Sequence, residues 1–106
     1  MKNSSRESIL KEIRHEMPYL REHFGVERLA LFGSFARDEQ SEISDIDILV
    51  YLSKPLGLAF IQLGDYLEDK LGRKVDLITA TSLKNGAADP RRAHIARNIQ
   101  ESMIYV

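Results

Sequence analysis

Ser44-Asp45-Ile46-Asp47-Ile48-Leu49-Val50, following Gly33-Ser34-Phe35-Ala36-Arg37 after a polar loop, is the stretch that decides the fold. In an extended strand, residues i and i+2 share a face. Asp45 and Asp47 therefore project together, while Ile46 and Ile48 point the opposite way into a core. Two carboxylates held that close are costly unless a cation sits between them. The stretch reads as a core strand that carries a metal site.

Working outward, Leu29-Ala30-Leu31-Phe32 is continuously apolar, as in a strand covered on both faces. Val26 to Phe32 is therefore expected as a first strand, leaving through the Gly33-Ser34 turn into one helical turn at Phe35-Ala36-Arg37. Asp38 to Ser44 reads as a loop, Asp45 to Leu52 as the second strand, and Ser53-Lys54-Pro55 as its end. Leu56, Phe60, Leu63, Leu67 and Leu71 recur at three or four residues, which predicts an amphipathic helix stopping at Gly72. Lys74 to Thr79 follows as a third strand with Asp76 in its middle.

Before this unit, Ser4 and Glu7 match a capping box, and Ile9, Ile13, Met17, Leu20 and Phe24 recur at helical spacing. Pro18 is expected to kink or break that helix, and Gly25 to end it. After it, Thr81 suits a short turn, Asn85-Gly86 another, and Asp89-Pro90 the start of a last helix through Ile95 and Ile99. Met103 to Val106 reads as a short edge strand. The pattern is mixed α/β (α+β), helices packed against a small sheet, in a single domain spanning residues 1–106.

Composition narrows the classes. The chain of 106 residues is 43% apolar and 29% charged, with a formal net charge of −1. That balance is globular and offers no broad basic field, so direct nucleic-acid binding is not expected. The absence of cysteine rules out disulfides and zinc-thiolate sites. No apolar run approaches the length of a membrane span and no signal-peptide pattern opens the chain, so a cytoplasmic protein is expected.

Asp76 lies between Val75 and Leu77 and leaves the core face of its strand. A lone strand acid is more often an exposed edge residue. That explanation weakens where a neighbouring strand already carries an Asp-x-Asp pair. If the second and third strands are neighbours, three carboxylates can converge. Such a set suits hard cations such as magnesium, and two ions serve a phosphoryl displacement. Gly33 permits close backbone approach, and the next amides with the Ser34 hydroxyl are natural donors to a triphosphate. Alone, Gly-Ser is more often a plain capped turn; coupled to the acids at this spacing it becomes informative. His15, His23 and His94 share no ligand spacing. Arg91, Arg92 and Arg97 read as a solvated helix face, and Tyr19, Tyr51, Tyr66 and Tyr105 as core or boundary aromatics. Phe60, Leu63 and Leu67 read as core, with a surplus on that helix suited to homo-oligomer formation.

Gly33-Ser34-Phe35-Ala36-Arg37, the ten residues between Ser34 and Asp45, the Asp45-Ile46-Asp47 triplet and the later Asp76 together resemble the nucleotidyltransferases of the DNA polymerase β superfamily. The short chain is similar to the minimal nucleotidyltransferase group, typically partners of HEPN-domain proteins in toxin–antitoxin pairs. The resemblance implies a polymerase β-like fold with Asp45 and Asp47 on two Mg2+ ions. Asp76 would complete one metal site and help activate the acceptor hydroxyl. Gly33, Ser34 and Arg37 would hold the nucleoside triphosphate. It further implies transfer of AMP from ATP to a hydroxyl, for this group a tyrosine of a cognate HEPN toxin, which makes the chain an antitoxin. The alternative is an antitoxin that neutralises its partner by binding alone. Small-molecule and templated transfer need extra domains or surfaces that 106 residues do not supply. At one position the chain departs from the pattern: Asp38 stands where the family commonly has glycine.

Overall fold

Ser5 opens the first helix: its side chain accepts the Ser8 N–H, and α1 runs from Arg6 to Phe24. The cap is thus Ser5 with Ser8 at the third helical position, one residue later than the Ser4–Glu7 pairing expected. The computed structural model describes residues 5–39, 45–54, 56–82 and 103–106. Ser4, Pro55, the turn at Asn85-Gly86, the helix expected from Asp89-Pro90 and the arginines 91, 92 and 97 lie outside the described residues. The helix α1 passes through exposed Pro18 without a break and closes at Gly25, whose φ of 70° is the left-handed cap conformation.

Strand β1 (Val26–Phe32) leads directly into α2 (Gly33–Ala36), and β2 (Ile46–Leu52) is joined to β3 (Val75–Thr79) through α3 (Ala59–Leu71). A final strand, β4 (Ile104–Tyr105), lies at the sheet edge. The order is β3-β2-β1-β4, with β1 antiparallel to β2 and β4, and β2 parallel to β3. A parallel pair requires a crossover, and α3 supplies it. This is the mixed α+β architecture the sequence suggested.

One face of the sheet carries the main core. Ile46, Ile48 and Val50 of β2 and Leu29 and Leu31 of β1 pack with Ile9, Ile13 and Leu20 of α1 and Leu63, Leu67 and Leu71 of α3. The helices are pinned together by Tyr66, whose hydroxyl donates to the buried carboxylate of Glu16. That bond, followed by burial, pushes the Tyr66 hydroxyl up to about 12. The opposite face holds a smaller cluster around Ala30 and Leu49, flanked by Phe32, Tyr51, Ile78 and Met103. Period-two alternation therefore sends Asp47 and Asp76 to this second face, away from both helices.

Candidate active site

Asp47 and Asp76 stand opposite each other in the parallel β2/β3 register. Their Cα atoms are one strand spacing apart, about 4.8 Å. Phe32, the last residue of β1, pairs with Asp47 from the other side, so the chain turns at Gly33 directly beside the carboxylate. Asp45 is exposed and immediately precedes β2, whose first amide, Ile46 N–H, donates to the Lys74 carbonyl at the foot of β3. One end of the sheet thus gathers Gly33, Asp45, Asp47 and Asp76.

The electrostatics agree with the topology. The Asp47 carboxyl is pushed up to about 6, first by burial, then by the negative charges of Asp76 and Asp45, and partly offset by Arg37. The three acids therefore share a field in which a negative charge on Asp47 is resisted. Among the described residues, no three His, Cys, Asp or Glu side chains form a metal-binding group as they stand. Mutual repulsion gives like charges every reason not to close up unaided. Donor chemistry nevertheless fits a hard divalent cation: every donor is a carboxylate oxygen, and the field disfavouring Asp47 ionisation is one that a cation relieves.

Gly33 is the second component. Its φ of 75° lies in the left-handed region, and a Cβ built there would sit 2.1 Å from Asp47 Oδ2. Only the missing side chain allows the backbone to reach the carboxylate. Helix α2 is then fastened from behind: Phe35 is fully buried, and Arg6 Nη1 donates to the Ala36 carbonyl at 3.1 Å. Ser34 is half-buried, and its carbonyl accepts the Glu39 N–H at 2.8 Å. Arg37 follows α2 and its Nε lies 2.6 Å from Glu39 Oε1, an exposed pair that contributes little to stability. Its charge reaches Asp47 without contact.

Asp38 takes φ = 59°, the only described non-glycine residue in the left-handed region. The backbone there asks for glycine, the residue common in the pattern at this point, and aspartate tolerates it at a cost. Asp38→Gly is expected to raise stability by about 0.5–1 kcal/mol, read as a higher midpoint in urea with an unchanged slope.

A cavity of about 580 Å³ opens at the other ends of β2 and β3, lined by Leu52, Lys54, Leu56, Phe60 and Thr79. It contains none of Asp45, Asp47 and Asp76, so charge and backbone approach, rather than concavity, mark the site. Sequence reasoning treated Tyr51 and Tyr105 as core or boundary aromatics and passed over Arg28. The structure places all three on the face that carries Asp47. Val26 and Leu29 are both buried in the main core although three residues apart, which a regular strand does not allow.

The sequence pattern described as nucleotidyltransferase domain matches residues 10–106. The protein adenylyltransferase MntA of Thermococcus cleftensis is 44% identical over 101 residues, covering 94% of this chain and 91% of the relative. A Methanocaldococcus jannaschii protein classed with the protein adenylyltransferases is 44% identical over 101 residues, covering 93% and 96%. Among solved structures, one assigned to the minimal nucleotidyltransferases superposes with a TM-score of 0.68 at 30% identity, covering 94% of each chain. A toxin–antitoxin crystal structure with AMP-PNP gives 0.53 at 28% identity, covering 76% of this chain and 63% of the other. Glycine turn, paired strand acids and a match over nine-tenths of the chain agree: the chain belongs to the nucleotidyltransferase domain family.

Proposed function

We propose that the chain is a protein adenylyltransferase that moves AMP from ATP onto a tyrosine hydroxyl of a cognate HEPN-domain toxin, and so acts as its antitoxin. The observation that carries the reading is the convergence of Gly33, Asp47 and Asp76 at one end of the sheet, with Asp45 beside them. The relatives named as protein adenylyltransferases and the toxin–antitoxin neighbour holding AMP-PNP support it. The 106 residues act as one transfer domain to which the acceptor brings its own surface.

Asp45, Asp47 and Asp76 would hold magnesium, which when bound neutralises the phosphates and polarises the reacting phosphorus. The rest is the work of this chain's own residues. The turn at Gly33, the Ser34 hydroxyl and the first amides of α2 face the β- and γ-phosphates, with Arg37 adding positive charge. Asp76, exposed at the edge of the pair, takes the proton from the acceptor hydroxyl. The acceptor oxygen bonds to the α-phosphorus as the bond from that phosphorus to the pyrophosphate oxygen breaks, and pyrophosphate leaves. The main contributions are positioning and charge neutralisation.

The test uses the full chain, Mg·ATP and a HEPN-domain protein encoded in the same genome, an adjacent gene being the first choice. ATP labelled at the α-phosphate is expected to mark a tyrosine of that protein, and ATP labelled at the γ-phosphate to leave it unmarked. Label from the γ-position on the acceptor, or none from the α-position, overturns the reading. Neutralisation by binding alone is the second reading, favoured if the chain silences the toxin without nucleotide.

A further inference from the structure

The face carrying Asp47 and Asp76 continues along the sheet to a cluster that the transfer chemistry does not use. Arg28 pairs with Tyr51 across β1/β2, and Tyr105 pairs with Ala30 across β1/β4. The Arg28 guanidinium carbon lies 4.0 Å from the Tyr105 ring centroid and 5.6 Å from that of Tyr51. The two tyrosine hydroxyls are 3.0 Å apart and share a hydrogen bond. Arg28 and Tyr105 are exposed.

A local irregularity puts Arg28 there. The β1/β2 register slips between Val26 and Arg28, leaving Glu27 as an extra residue. In a regular strand Arg28 would share the face of Val26, which is buried in the core. The bulge lets Val26 and Leu29 both face the core and turns Arg28 onto the catalytic face, beside Tyr51. Among the described residues Arg28 has no carboxylate partner. A guanidinium pre-oriented on two aromatic rings, with no acid paired to it among the described residues, is the composition of an interface anchor.

We propose that this cluster is the docking point for the acceptor protein: Arg28, held on Tyr105 and Tyr51, receives an acidic side chain of the acceptor. The inference rests on the transfer reading above. Tyr51 lies four residues beyond Asp47 on the same strand and face, about 13 Å away. The acceptor's carboxylate therefore stands about that far from the hydroxyl to be modified. Charge complementarity selects a protein surface bearing an acid about that far from the acceptor tyrosine, and the buried pair Leu49 and Ala30 lies between the two points.

The test separates docking from transfer. Affinity for the HEPN-domain acceptor used in the labelling test is measured without nucleotide for the wild type, Arg28→Gln and Arg28→Glu, each first shown to be folded by its melting curve. Arg28→Glu is expected to weaken binding tenfold or more, with Arg28→Gln intermediate and less salt-sensitive than the wild type. Affinity for Mg·ATP is expected to stay unchanged. One Asp→Lys or Glu→Lys change in the acceptor should restore binding to Arg28→Glu. Equal acceptor affinity in all three chains overturns the proposal. So does weakened Mg·ATP binding in the arginine variants, which would make the cluster part of the nucleotide site, and so does a wild type that does not bind the acceptor. Loss of binding in Arg28→Glu with no labelling by the wild type upholds docking and removes the transfer reading instead.

Discussion

Asp47→Asn is expected to abolish transfer, lowering it by about 10³-fold or more, while making the protein more stable at neutral pH. The two effects share one cause. The Asp47 carboxyl is pushed up to about 6 from an ordinary 3.8 by burial and by Asp76 and Asp45. Between those values the folded chain holds a proton that the unfolded chain has released. Stability therefore rises as pH falls from about 6 towards 4, and above pH 6 the ionised carboxylate is a standing cost. The group is only half-buried, so solvent screens much of the repulsion, and about 1–2 kcal/mol survives at pH 7. The amide carries no charge and removes that cost. Thermal melts of both chains from pH 4 to pH 8 check the result: the variant should melt higher at pH 7, and the gap should close near pH 4. A variant less stable than the wild type at pH 7 would mean that Asp47 is held by favourable partners rather than strained by its neighbours.

Gly33→Ala strikes the same carboxylate from the backbone. The new Cβ would lie 2.1 Å from Asp47 Oδ2 and 3.0 Å from its Cγ, on a backbone whose φ of 75° already disfavours a side chain. Overpacking and left-handed strain together are expected to cost about 2–4 kcal/mol. Relief by turning Asp47 aside or by shifting α2 separates the acid from the phosphate-facing turn, and a displacement of about 1 Å lowers activity about 10²-fold. Gly72→Ala is the control. It has φ = 68° and nothing within 4 Å of the added atom, so it carries the strain without the collision. Urea unfolding and transfer rates of the two variants check this. Equal losses of stability, or transfer by Gly33→Ala within a few-fold of wild type, would contradict the close approach.

Local rules made much of this architecture legible. A continuous apolar run marked β1, alternation about Asp45 and Asp47 marked β2, and the Leu56–Leu71 spacing with Gly72 marked α3, which the structure starts at Ala59. Gly25 and Gly72 end their helices as left-handed caps, as their positions suggested. The acids were legible because strand alternation fixes their face before the topology is known. What the sequence left open was set by tertiary contacts. Pro18 breaks nothing because α1 is held by the core along its length, through Ile9, Ile13, Leu20 and Phe24. The strain at Asp38 is invisible without φ. The anchor at Arg28 was missed because a bulge alters the alternation that the reading relied on, and because Tyr105 meets Arg28 only once β4 pairs with β1.

The measurement that bears most directly on the central claim, that Asp45, Asp47 and Asp76 form one field suited to a divalent cation, is a carboxyl NMR titration of Asp47 with and without magnesium. An inflection near pH 6 is expected in the metal-free chain, moving to lower pH when magnesium is added. An inflection in the ordinary carboxylate range, unmoved by magnesium, would contradict it.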